Sequence, residues 1–230
     1  MPDSINESIR QYWSKGYAAP NLESHIFRLY ARILKPQFNL PNNYERLVDF
    51  GCGQGAAVNY FNSIGFDARG CDISDVDINV AKLRYPNLRD KFFVTDQNPS
   101  GNDVYGWSED VNVVIAVQAL YYLQRDYFKC LMEKFYNSMP SGGLIYATMM
   151  GEQHTFFQHS EPTGTDWLRN VRFKDGRSNL ENYFLFFVSD EADLKSKFSM
   201  FEPVHIGHYS MQLQDSDTNN WHWTFLGRKR

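Results

Sequence analysis

Asp49-Phe50-Gly51-Cys52-Gly53-Gln54-Gly55 is the stretch from which the rest of the sequence can be read. It follows a short apolar run, Leu47-Val48, and precedes a helical pattern from Ala56 to Ser63 that Gly65 stops. Alternate glycines at a strand-to-helix turn let the backbone bend sharply and let a ligand approach with no Cβ in the way. Read from Gly51 to Ala56, the same residues fit the dinucleotide fingerprint GxGxxA. Both readings share an acid about twenty positions on, Asp72, placed to accept from ribose hydroxyls. A glycine-rich turn with no ligand is the plainer third reading.

Upstream, Ser4-Ile5-Asn6-Glu7 is a capping box that opens a first helix reaching Ser14. Ile26, Leu29, Tyr30, Ile33 and Leu34 recur at helical spacing and predict a second helix ending before Pro36. Downstream the pattern alternates. Phe66 to Cys71 reads as a strand, Asp75 to Arg84 as a helix stopped ahead of Pro86, and Lys91 to Thr95 as a third strand. Val111 to Ala116 is nearly all apolar, as a strand covered on both faces should be. Phe128, Leu131, Met132 and Phe135 mark a helix closed by Pro140-Ser141-Gly142-Gly143, and Leu144 to Met149 is a fifth strand. The stretch 151–182 is polar and irregular. After it come Tyr183 to Val188, extended, and a short helix capped by Ser189 or Asp190. Val204 to Leu213 and Trp221 to Gly227 then flank turn-forming residues and predict an antiparallel hairpin.

Composition bounds the alternatives. At 230 residues with 43% hydrophobic and 22% charged, the chain suits one well-buried α/β domain, 1–230. The longest aliphatic run, Val113 to Val117, is too short to cross a bilayer, so no membrane partner is expected. Three cysteines without a CxxC pair argue for free thiols in a cytoplasmic setting and against zinc. The net charge is −4 and the one dense basic cluster is Arg228-Lys229-Arg230, so no nucleic-acid partner is expected. Asp49 at the strand end disfavours a pyrophosphate, which needs a helix N-terminus free of anions, and would suit a cation. The terminal hairpin also departs from dinucleotide folds, which close with further parallel units.

The chain here resembles the class I, Rossmann-like S-adenosylmethionine (SAM)-dependent methyltransferases, over residues 45–150 and the tail. The glycine loop looks like that family's first motif, D/E-x-G-x-G-x-G. Gly70-Cys71-Asp72-Ile73-Ser74 resembles the second, whose acid binds the ribose diol, and Phe93-Val94-Thr95-Asp96-Gln97 the third, whose acid reaches the adenine amino group. Val113 to Leu123 resembles the fourth strand and the turn that flanks the methionine part, and Pro140-Ser141-Gly142-Gly143 the turn into strand five. The resemblance implies an α/β fold: a doubly wound, seven-stranded, mostly parallel sheet with a C-terminal antiparallel hairpin and helices on both faces. It implies SAM as cofactor, held by Asp49, Gly51, Cys52, Gly53, Gly55, Asp72, Ile73, Asp96, Gln97, Val117, Gln118 and Tyr122. Asn112 stands where many members carry an acid, and Val117 and Tyr121-Tyr122 replace residues that are often polar.

The acceptor side is less constrained, because in-line methyl transfer from an activated donor needs chiefly orientation. The turn Val117-Gln118-Ala119-Leu120 lacks the Asn/Asp-Pro-Pro-aromatic signature of the nucleic-acid amino methylases. It also lacks the paired glutamates of the protein-arginine enzymes and the carboxylates of the metal-dependent catechol type. A small-molecule acceptor, methylated on O or N without a metal, is the expectation. Residues 1–40 form a helical cover, with Tyr12, Tyr17 and His25 either facing SAM or simply packed. Residues 151–182 form an acceptor lid, and 183–230 the terminal helix and hairpin. Within the lid, His154 and His159 are the candidate bases, since imidazole titrates near operating pH. Trp167, Arg172 and Arg177 are candidate acceptor contacts, although the mixed charge there equally suits a solvated face. Two other functions stay open: a SAM-binding partner or sensor without catalysis, and an NAD-dependent oxidoreductase.

Overall fold

The computed structural model describes residues 22–95, 110–164, 166–173, 183–212, 214 and 219–230. The capping box near Ser4, Tyr12, Tyr17, Asp96, Gln97, Arg177 and most of the hairpin turn lie outside these residues. The first described element is α1 (Ser24–Leu29), which runs through a π-helical turn (Tyr30–Leu34) into α2 (Lys35–Phe38). The expected stop before Pro36 is therefore corrected by two residues past it. Proline removes one helical N–H and crowds the preceding turn. The widened π turn makes room there, and the side-chain amide of Gln37 donates to the Arg32 carbonyl at 3.3 Å. Asn39 then ends the helix in the left-handed region, φ 55°.

β1 (Arg46–Phe50) leads through the glycine loop into α3 (Ala56–Ser63), then β2 (Asp67–Asp72), α4 (Asp75–Arg84) and β3 (Phe92–Val94). β4 (Val113–Ala116), α5 (Arg125–Ser138) and β5 (Leu144–Met150) complete the alternating part. Next come α6 (Thr155–Gln158), β6 (Ser160–Pro162), β7 (Arg169–Val171), β8 (Tyr183–Leu185) and α7 (Glu191–Lys197). β9 (Glu202–Tyr209) and β10 (His222–Arg228) close the chain. One sheet has the order β3-β2-β1-β4-β5-β10-β9, with β1 to β5 parallel and β10 antiparallel to both neighbours. This is the doubly wound, seven-stranded α/β sheet with its terminal hairpin that the sequence implies.

Side chains alternate across the sheet as a two-residue period demands. Val48, Val114, Ala116, Ile145 and Ala147 join the buried cluster that holds Phe128, Leu131 and Phe135 of α5 and Leu194 of α7. Leu47, Val113, Ile115 and Leu144 join the opposite one, with Ile26 and Leu29 of α1, Val58 and Phe61 of α3 and Ile78 of α4. Helices cover both faces, and β4 and β5 are buried along their whole length. Asn112, the departure at the start of β4, is a strand clamp: its side chain accepts from the Arg46 N–H at 3.0 Å.

The stretch after β5 is more ordered than its polarity suggests. β6, β7 and β8 form a small antiparallel sheet, and α6 precedes it. Strands of three residues are too short for alternation to register in a sequence, so β6 and β7 read there as irregular chain, while β8 falls in the stretch read as extended. Asp190 caps α7 by accepting from the Asp193 N–H at 2.8 Å, one of the two caps expected.

Candidate active site

The loop after β1 sits at the carboxyl ends of the strands, beside β2 on one side and the turn after β4 on the other. The Gly51 and Cys52 N–H groups both donate to the Cys71 carbonyl, at 2.8 and 3.0 Å, which folds the loop over the end of β2. Gly51 has φ 77°, and a Cβ there would lie 2.4 Å from the Ala119 Cβ. Gly53 has φ 49°, yet a Cβ there would meet nothing within 4 Å. One glycine is thus required by close approach and the other faces open space.

Asp72 is the hub. One carboxylate oxygen accepts from the Gly53 N–H at 2.8 Å and the other from the Ser74 N–H at 2.9 Å. An ionised carboxylate has roughly four lone-pair sites, so it keeps room to accept from a diol. Burial pushes the Asp72 carboxyl up, while the Ser74 and Gly53 N–H groups pull against that. Ser74 caps α4 through the Asp77 N–H at 3.1 Å, and buried Asp77 accepts from the Gln54 side chain at 3.0 Å. The Gln54–Asp77 tie pins the loop to α4. The Ser74-x-x-Asp77 spacing is a sequence signal for the cap, and the Gln54 tie has none.

Asp49 lies buried beneath the loop, and burial first, then the charge of Asp72, raise its carboxyl to about 8. Buried Cys52 and Cys71 lie beside both acids, with thiols pushed well up by burial, so they are poor nucleophiles. A cation bound beside these two acids would favour their ionised forms. The acids also set a stability slope. An ordinary aspartate titrates near ~3.9, so between there and about 8 the folded chain binds more protons at Asp49 than the unfolded one. This group's contribution to stability is therefore lost as pH rises through that window. Melting temperatures of the apo protein should fall more steeply from about pH 5 to about 8 than those of Asp49→Asn. Parallel curves would remove the perturbed carboxyl.

The turn after β4 carries the other donor-side candidates. Val117 is half-buried, and Gln118 adopts φ 53° with its N–H donating to Thr148 Oγ1 at 2.8 Å. Its side-chain amide donates to the Tyr209 hydroxyl at 3.1 Å. Tyr122 is buried with its hydroxyl 2.7 Å from that of Tyr183, so β8 is tied to the same turn. Ile73 is half-buried behind Asp72.

The residues singled out after β5 have defined local roles. His154 is buried and caps α6, its Nδ1 accepting from the Phe156 N–H at 3.0 Å. In the neutral ring Nε2 then carries the proton, and burial, with His222 second, lowers the pKa to about 3. That arrangement makes His154 a donor rather than a base. His159 is half-buried against Phe173, with its carbonyl accepting from the Arg172 N–H at 2.7 Å. The Trp167 ring is stacked on Phe186 at 4.1 Å and donates to the Leu123 carbonyl at 2.8 Å, which anchors the small sheet to the turn before α5. Arg172 is exposed. His25, named in the sequence as a cover residue, packs into a ring cluster with Tyr146, Tyr209 and His222, three residues that the sequence did not single out.

A family model described as a methyltransferase domain matches residues 22–224. The chain belongs to the methyltransferase-domain family. A search of curated proteins finds no significant match. Among solved structures, this methyltransferase-domain chain is similar to a SAM-dependent methyltransferase from Anabaena variabilis, at 19% identity and TM-score 0.67, covering 98% of this chain and 95% of that one. It is similar to magnesium protoporphyrin IX methyltransferase from Synechocystis, solved with S-adenosylhomocysteine, at 13% identity and TM-score 0.61, covering 99% and 97%. The N-methyltransferase NodS from Bradyrhizobium japonicum matches at 12% identity and TM-score 0.57, covering 90% and 86%. These likenesses carry the fold of the methyltransferase. No described helix is long and apolar enough to cross a membrane.

Proposed function

We propose that this methyltransferase transfers a methyl group from SAM to a small molecule, on oxygen or nitrogen, without a metal. The observation that carries the reading is Asp72, fixed by the Gly53 and Ser74 N–H groups with lone pairs to spare, above a second buried acid, Asp49. Asp72 would accept from the ribose hydroxyls, and the loop backbone at Gly51 to Gly53 would hold the methionine part. The Asp72 charge favours the ammonium and sulfonium of SAM over the pyrophosphate of a dinucleotide, and a bound cation would draw the raised Asp49 carboxyl toward its ionised form. When bound, SAM supplies an activated methyl group. The chain's own contribution is then alignment, for which effective molarities reach about 10⁵ M or more.

Residues 151–182 are proposed to cover the acceptor. They leave β5 at the carboxyl edge, where open α/β sheets bind their ligands; Trp167 within them, and Tyr183 just after them, bond to the turn after β4. Calorimetry with S-adenosylhomocysteine and with NADH tests the reading. Micromolar-class binding of the first and none of the second is expected; NADH binding alone would overturn it.

A further inference from the structure

Rings from distant segments stack at the carboxyl edge of the sheet. His25 lies on Tyr209 with centroids 4.7 Å apart, and Tyr209 lies on His222 at 5.1 Å and 5° between planes. His154 meets His222 edge-on at 5.4 Å, and Tyr121 lies at 5.9 Å. His222 opens β10 and is only 4% exposed. Its Nδ1 is 2.6 Å from the Asn220 carbonyl. A carbonyl can only accept, so Nδ1 carries the proton and Nε2 presents its lone pair. Among the described residues that buried Nε2 has no hydrogen-bond partner. A buried acceptor without a partner costs free energy, and each such atom in a folded protein calls for an explanation.

Position supplies one. Tyr209, whose ring lies on His222, holds its hydroxyl against Gln118, and Gln118 precedes Ala119, the residue that Gly51 touches. The glycine loop and His222 are therefore linked through one turn and one ring. The ring cluster also has a chemical character. Burial lowers His222 to about 4 and His25 to about 4, so both imidazoles are neutral and accept or donate without charge. A carboxylate or phosphate placed among Tyr121, Tyr209 and His154 would lose its water and gain no cation. A flat apolar ring suits such surroundings, since aromatic pairs prefer to stack.

We propose that His222 is the specificity residue of the acceptor subsite, its Nε2 accepting the hydrogen of a hydroxyl on an uncharged aromatic acceptor. The proposal rests on the glycine loop being the SAM cradle. It assigns to β10, the antiparallel strand that the donor site does not use, the task of choosing and orienting the nucleophile.

The probes are phenol and anisole, which share a ring and differ in the hydroxyl hydrogen. Protein with ¹⁵N-labelled histidines is loaded with S-adenosylhomocysteine and titrated with each. Phenol is expected to shift the unprotonated ring nitrogen of His222 and to bind at least about tenfold more tightly than anisole, the size of one well-made hydrogen bond. His222→Phe, which keeps the stacked ring, should erase that preference. Equal binding of the two probes, a shift at another histidine alone, no binding of either, or a preference that survives in His222→Phe would each overturn the proposal. The wild-type comparison decides the matter even where the variant does not fold. Failure of S-adenosylhomocysteine to bind at all would instead bring down the donor-site reading, and is measured first.

Discussion

Asp72→Ala should weaken SAM binding by at least about tenfold and up to about a hundredfold, the range expected when hydrogen bonds to a charged acceptor are lost at ~1.5–3 kcal/mol each. Two effects combine. The variant loses the proposed acceptor of the ribose hydroxyls, and the Gly53 and Ser74 N–H groups lose the carboxylate that fixes them at 2.8 and 2.9 Å. A second comparison separates ribose recognition from loop order. Wild type should prefer adenosine to 2′,3′-dideoxyadenosine, and the variant should bind both alike. Calorimetry showing the same preference in a folded Asp72→Ala protein would leave Asp72 a loop-fixing residue with no ribose role. Asp72→Asn should fall between the two, since it keeps one carbonyl oxygen but turns an amide N–H₂ toward an N–H donor.

How far the site was legible follows from how local each part is. The glycine loop and Asp72 lie within about one strand–helix–strand unit, where spacing alone relates them. The helices Ala56–Ser63 and Asp75–Arg84 likewise begin and end where their caps and breakers put them. Asp96, Gln97 and Arg177 fall outside the described residues. The ring cluster was not legible, because His25, Gln118, Tyr209 and His222 come from four separate segments and meet only when β10 pairs with β5 and β9. No motif encodes that juxtaposition. His154 shows the converse: its position after strand five was readable, but its use as a helix cap was not, since an imidazole is an uncommon N-cap. The positive φ of Gln118 was hidden for a similar reason, as a non-glycine residue gives no hint of a left-handed backbone.

The two loop glycines should fail in opposite ways when substituted, and the contrast tests what the loop is for. Gly51→Val puts a Cβ 2.4 Å from the Ala119 Cβ, where neither neighbour is a flexible side-chain end that can swing aside. Left-handed backbone at φ 77° adds its own penalty. Together these should destabilise the fold by about 2–5 kcal/mol, taking ~1–2 for the backbone and ~1–3 for the clash. Gly53→Val pays the backbone penalty alone, about 1–2 kcal/mol, because its added side chain enters a space where no atom of the protein stands within 4 Å. That space is where the methionine part of SAM is proposed to lie, so Gly53→Val should stay folded and lose SAM binding by a hundredfold or more, about 2.7 kcal/mol. Thermal melts and calorimetry on the two proteins decide it. If Gly53→Val melts like Gly51→Val, the loop is simply a tight structural turn at both positions. If it folds and still binds SAM as wild type does, the cradle lies elsewhere and the open space beside Gly53 has another use.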